Sequence, residues 1–348
     1  MTFFFRNILI LLIFIVGGTL FFYLPLPETA VKTLLSEAHS ISPELLQAER
    51  TYWRSKIDIL GVEKAYAQFK DTYEKRHFED QHTVAHIIGE LIYEKKGIEG
   101  LVICDDSFAF GCYHSFFTRA ISENGIEILP ALDSACVKEY GRYGTGCQHG
   151  IGHGVMEYIG PERLVEGLEA CTLTTQVKDL FGCTSGLFME YNTSTIFTPD
   201  SVYQKDRKFN QKNPYEPCST TVPSEFRNSC YFELSQWWKN ILGEDYGQIG
   251  SLCNDIGNQK NKESCYMGFG TVAGPSADYD TAGTIKICND MPTEEGIFFC
   301  RAGASWVFFA NPEYRARAPA LCEGFNKKEE EEFCLQKSDL IGTGEKNA

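Results

Sequence analysis

The stretch from Cys171 to Tyr191 reads CTLTTQVKDLFGCTSGLFMEY. Two cysteines with eleven residues between them frame a polar connection, and the second one opens an apolar segment. The same frame returns along the chain as Cys104/Cys112, Cys136/Cys147, Cys171/Cys183, Cys218/Cys230, Cys253/Cys265, Cys288/Cys300 and Cys322/Cys334. The last five pairs are all C-x11-C, and the first two are shorter by four residues and one. First cysteines recur after 32, 35, 47, 35, 35 and 34 residues. A fixed period near 35 is the signature of a repeat array, and periods of this size usually mean stacked helix pairs.

Each repeat has one grammar. A helical segment runs into the first cysteine, as in GIEGLVIC, GIEILPALDSAC, GPERLVEGLEAC, YDTAGTIKIC and NPEYRARAPALC. After the polar connection, the second cysteine opens an apolar helix such as CYMGFGTVAG or CRAGASWVFF. First helices of two or three turns are marginal alone. A disulfide within each pair would tie the two helices together, for on the order of 3 kcal/mol per bond by chain entropy. The constant spacing favours this local pairing, while links between neighbouring repeats stay open from sequence alone. Zinc binding by the cysteines would need C-x2-C clusters, and the sequence has none. The expected fold is therefore all-α, an α-solenoid of about seven to eight disulfide-pinned helix hairpins. Its layout resembles that of cysteine-rich helix-pair repeat proteins, a likeness that assigns no residue a role.

Around this array the chain divides into four parts. Residues 1–24 read as a signal anchor, a transmembrane helix: Ile8 to Leu24 is free of charge and Arg6 precedes it. No small-x-small cleavage site follows, so an uncleaved anchor is the first choice over a signal peptide. Residues 25–79 form an N-terminal helical segment, with a helix opening at Pro43 after Ser42 and a second carrying the stripe Val62, Ala65, Tyr66, Phe69 and Tyr73. Residues 80–342 are the cysteine-rich repeat domain, interrupted by a polar inserted loop at 192–217, a candidate lid. Residues 343–348 are a tail. All fourteen cysteines follow the anchor, which fits an oxidising compartment, periplasm or cell surface. With 32 basic and 47 acidic residues the net charge is −15, which argues against a nucleic-acid partner.

Five of the seven histidines lie between His82 and His153. DQHTVAHIIGE and CQHGIGHGVME share a register: Asp80 matches Cys147, His82 matches His149, His86 matches His153 and Glu90 matches Glu157. In GCYHSFFTRA, His114 again stands two residues after its cysteine. Later repeats put Ser185 and Met189, Phe232 and Gln236, or Met267 and Thr271 at these positions. The scaffold alone therefore does not demand histidine there. Residues four apart share a helix face, so an H-x3-H pair can offer both imidazoles to one ion. Imidazole suits a transition metal, zinc or copper first. The expected ligands are His82, His86, His149 and His153, with His114 close behind.

Glu90 and Glu157 are expected as outer-shell partners or proton carriers, and are the candidates for any catalytic role. At 1.5 Å per residue each lies about 12 Å along the axis from the first histidine of its motif. Packed helices lie about 8–10 Å apart, and the His114 helix separates the two H-x3-H helices. The sequence thus predicts either a tightly curled array or two half-sites, with His114 serving one. No H-E-x-x-H, G-x-S-x-G or phosphate loop after a strand is present, so the reaction of a metal-dependent enzyme is not implied. The alternative function is a metal-free scaffold that binds a peptide, glycan or partner protein on its concave face.

Overall fold

A computed structural model describes residues 43–340, with breaks at 75–77, 106, 109, 142–144, 176–179, 193–208, 312 and 326. The described residues form helices joined by turns, with no strand among them. The first two helices are α1 (Pro43–Leu60) and α2 (Val62–Tyr73). Gly61 separates them at φ +82°, a left-handed conformation that side chains rarely adopt. The stripe Val62, Ala65, Tyr66, Phe69 and Tyr73 is buried as its spacing requires. Phe69 meets Trp53 of α1 edge-on at 5.1 Å, and both helices pack on α3 (Phe78–Lys96).

From α3 onward two kinds of helix alternate. Helix α3 has no cysteine, and the helices after it that carry the second cysteine of a pair are α4 (Gly111–Asn124), α6 (Thr145–Ile159), α8 (Cys183–Asn192), α9 (Arg227–Leu242), α11 (Gln259–Ser276), α13 (Glu294–Ala310) and one more at the end of the row. Each of these packs mainly on its neighbours in the row, and the last one, α14 (Lys328–Leu340), packs on α13. They are buried on all sides: in α4 every residue from Gly111 to Thr118 is buried. The helices carrying first cysteines are α5 (Leu129–Tyr140), α7 (Leu164–Cys171), α10 (Tyr246–Asn254) and α12 (Thr281–Cys288). They bury one stripe, which in α5 is Leu129, Leu132, Asp133, Cys136 and Tyr140. This is the difference between a helix inside a layer and one on its outside.

All seven cysteine pairs are disulfides within their own repeat, with Cα atoms 5.5–5.7 Å apart. No free cysteine occurs among the described residues. Seven such bonds belong to an oxidising compartment.

The repeat grammar differs from expectation in two ways. GIEGLVI and RARAPAL form 3-10 helices, Gly97–Ile103 and Arg315–Leu321, and Cys218 follows turns rather than a helix. In the last full repeats the inner helix starts well before its cysteine, because Asn258 and Thr293 cap it earlier by accepting backbone N–H bonds.

The close packing of inner helices rests on glycine. A Cβ on Gly152 would collide with the carbonyl oxygen of Cys183, and one on Gly186 with that of His149. Helices α6 and α8 therefore touch backbone to backbone. The row also bends: Trp306 of α13 meets Phe181, at the entrance to α8, with ring centroids 4.5 Å apart.

No helix among the described residues is long and apolar enough to cross a membrane. The expected anchor at 1–24 and most of the loop at 192–217 lie outside the described residues.

Candidate metal centre

The repeat register sets the histidines on three successive inner helices. His82 and His86 lie on α3, His114 on α4, and His149 and His153 on α6. His86, His114, His149 and His153 are buried, and His82 is half-buried. Their side chains form two groups, His82/His86/His114 and His114/His149/His153, with one ring nitrogen from each member within 4.8 Å of the others. His114 thus serves both groups rather than one. The two groups adjoin because α3, α4 and α6 approach more closely than bulky side chains would allow. Gly89 on α3 abuts the Cys112 carbonyl of α4, and Gly154 on α6 abuts the Thr118 nitrogen.

Within each H-x3-H pair the Nε2 atoms face one another, at 3.2 Å for His82 and His86 and 3.1 Å for His149 and His153. The opposite sides of three rings meet oxygen atoms. His153 Nδ1 lies 2.9 Å from a carboxylate oxygen of Glu190, with both side chains buried. His149 Nδ1 lies 3.2 Å from Ser185 Oγ, whose hydroxyl donates to Glu233. His82 Nδ1 lies 2.8 Å from the carbonyl oxygen of Phe108. That carbonyl sits in a turn where Phe108 and Phe110 have φ of 56° and 64°. Left-handed backbone is uncommon for large residues and collects at functional sites.

One tautomer of this network leaves both Nε2 atoms of the α6 pair open to a cation: Ser185 donates to Glu233 and accepts from His149 Nδ1–H, and Glu190 accepts from His153 Nδ1–H. The other tautomer places an N–H between the two Nε2 atoms as a hydrogen bond of 3.1 Å. Nitrogens that each bind zinc at about 2.0–2.1 Å stand at comparable mutual distances. An oxygen acceptor on the far nitrogen of a ligating histidine is the usual outer partner of a metal site.

The electrostatics agree. Burial holds His86, His114 and His149 well below the ordinary imidazole range, with neighbouring histidines adding to the effect, so they are neutral imidazoles at pH 7, the form a metal site requires. His82 is lowered for the same first reason, opposed by the Phe108 carbonyl. Glu233 is driven up to about 8 by burial, against the hydrogen bond from Ser185. His149 also stacks on Phe181 at 4.4 Å, which closes that side of the group with apolar surface. His114 lies over His153 with ring centroids 4.1 Å apart and planes 24° from parallel.

The two glutamates expected from the motif stand elsewhere. Glu90 is paired with Arg50 of α1 and is in neither histidine group. Glu157 is half-buried, and burial followed by the charge of Glu190 raises its pKa to about 7. It too lies in neither group. The acidic residues linked to the histidines come from the next inner helices, Glu190 of α8 directly to His153 and Glu233 of α9 through Ser185 to His149. Their sequence signal is an acidic residue inside an apolar segment, CTSGLFMEY and CYFELSQWW.

No protein-family model, curated protein or solved structure matches the chain. The structure itself shows an all-helical, disulfide-rich protein whose histidine clusters could hold a metal ion.

Proposed function

We propose that this chain is an extracytoplasmic, membrane-anchored protein built as an α-solenoid, whose N-terminal repeats bind a transition metal through His82, His86, His114, His149 and His153. Zinc or copper is the first choice, because the donors are neutral imidazoles with no thiolate or carboxylate among them. The observation that carries the reading is the convergence of ring nitrogens in two groups that share His114, with the Nδ1 atoms of His149 and His153 held by Ser185 and Glu190. The solenoid is supported by the order of helix contacts and the seven local disulfides. The anchor rests on the uncharged run Ile8–Leu24.

A metal bound here supplies Lewis acidity or, for copper, electron transfer. The chain's part is to keep the imidazoles neutral, hold their orientation through Glu190, Ser185 and the Phe108 carbonyl, and exclude water with Phe181. Elemental analysis of the full chain, produced in an oxidising compartment, tests the reading beside a His149→Ala/His153→Ala variant. Stoichiometric metal, diminished in the variant, is expected. Wild-type protein that stays metal-free after exposure to zinc and copper would return the concave face to a peptide, glycan or protein partner.

A further inference from the structure

The two histidine groups share one member, and that member differs from the others. His114 is 4% exposed, and its Nδ1 has no hydrogen-bond partner. On His82, His149 and His153 the corresponding nitrogen meets an oxygen. A buried ring nitrogen left unpaired costs about 1–3 kcal/mol, and such groups are rare in folded proteins. The ring lies between the two pairs, 5.0 and 5.5 Å from His82 and His86 and 6.2 and 4.1 Å from His149 and His153, centroid to centroid. Imidazole has two ligating nitrogens on opposite edges. One placed between two histidine pairs, with no protein partner for Nδ1, has the two donor atoms that a bridge between them needs.

We infer that His114 bridges two metal ions, one held with His82 and His86 and the other with His149 and His153, in a single dinuclear centre. This inference rests on the metal-binding reading above. Binding of both ions removes the remaining N–H proton of the His114 ring, which passes to solvent, and changes no oxidation state. The His114 ring must turn out of its near-parallel stack on His153, a rotation about its own side-chain bonds. The α3 side, with half-buried His82, is the face open to exchange. The α6 side, with both partners buried and Phe181 over His149, is the closed one.

The test is titration of the metal-free full chain with Cu(II), followed by low-temperature electron paramagnetic resonance. The first ion is expected to give the signal of an isolated copper. The second is expected to reduce the integrated signal well below one spin per copper, because a shared imidazole couples the two unpaired electrons. His86→Ala and His153→Ala should each retain one copper with an uncoupled signal. His114→Ala should weaken both sites, by more than the roughly 10–100-fold that loss of an outer partner causes. Failure to retain any copper overturns the metal reading itself. One copper per chain, or two with full uncoupled signals, overturns the bridge and leaves the metal reading standing. The bridge is also overturned if His114→Ala keeps one site at full affinity, or if His86→Ala still shows coupling.

Discussion

The first inner helices, α3, α4 and α6, and the later ones, α9, α11 and α13, are built on the same frame and fill it differently. In the later helices the positions two and six residues after the second cysteine are Phe232 and Gln236, Met267 and Thr271, Ala302 and Trp306. Phe232, Met267, Ala302 and Trp306 are buried and apolar, and Trp306 packs on Phe232 at 5.3 Å. In the first helices the equivalent space holds imidazoles. Both regions have the disulfides and the glycine contacts: Gly303 abuts the Met267 carbonyl just as Gly186 abuts that of His149. The scaffold is therefore indifferent to histidine. The cluster is a polar site cut into a core that elsewhere closes with Phe, Met and Trp.

Replacing glycine at the shared contact should have the largest effect. Gly186→Val and Gly303→Val each push two helices apart and should cost at least the 1–3 kcal/mol typical of overpacking. Only Gly186→Val should also abolish metal binding, because it moves His149. Thermal melts and metal content on the two variants separate stability from site geometry. Equal metal loss in both would erase the distinction between the regions.

Disulfide removal comes next. Cys171→Ala/Cys183→Ala and Cys288→Ala/Cys300→Ala open loops of the same length and should each lose on the order of 3 kcal/mol by chain entropy. Denaturant melts of the two should agree with each other. A much larger loss for the first pair alone would show that the two regions are not held by the same frame.

The partner carboxylates give a smaller effect confined to the first region. Glu190→Gln removes the charge behind His153 and should weaken metal binding about 10–100-fold. Glu157→Gln, one helix turn beyond His153 on the same helix, should leave affinity within about twofold by the same comparison. A competitive chelator titration reads both, and the reverse ranking would restore Glu157 as the partner carboxylate.

The smallest effect is on pH dependence, in the metal-free protein. Burial keeps the folded pKa of His86, His114 and His149 below the ordinary 6.5, so the folded state binds fewer protons than the unfolded chain. Their contribution is present above about 6.5 and is lost as pH falls. Glu233 acts in the opposite sense. Its pKa rises from 4.5 to about 8, so its contribution is present below 4.5 and is lost as pH rises through about 8. Thermal melts should show acid destabilisation that His86→Ala relieves and alkaline destabilisation that Glu233→Gln relieves. A pH-independent melting temperature would contradict the burial of these groups.

The frame was legible in the sequence because its signals are local and repeated. The C-x11-C spacing recurs at a constant period, and local pairing follows from it. The histidine register was legible for the same reason. What escaped was the contact between helices. Glu90 and Glu157 stand on the histidine face four residues beyond, which makes them conspicuous in a linear motif, yet helical rise carries them past the site. Glu190 and Glu233 are seven and three residues after their cysteines, a different phase from the histidines. Only the offset between α6, α8 and α9 brings them to His153 and, through Ser185, to His149. Ser185 reads in the sequence as a lost histidine and in the structure as the hydrogen-bond partner of one. The sharing of His114 depends likewise on how closely glycine lets helices approach.

X-ray absorption at the metal edge of the zinc-loaded full chain tests the central claim most directly. The account predicts a first shell of nitrogen at about 2.0–2.1 Å, with the outer scattering of several imidazole rings. That imidazole scattering should fall in the His149→Ala/His153→Ala variant. Zinc surrounded by oxygen without imidazole scattering, or an identical spectrum in the variant, would contradict it.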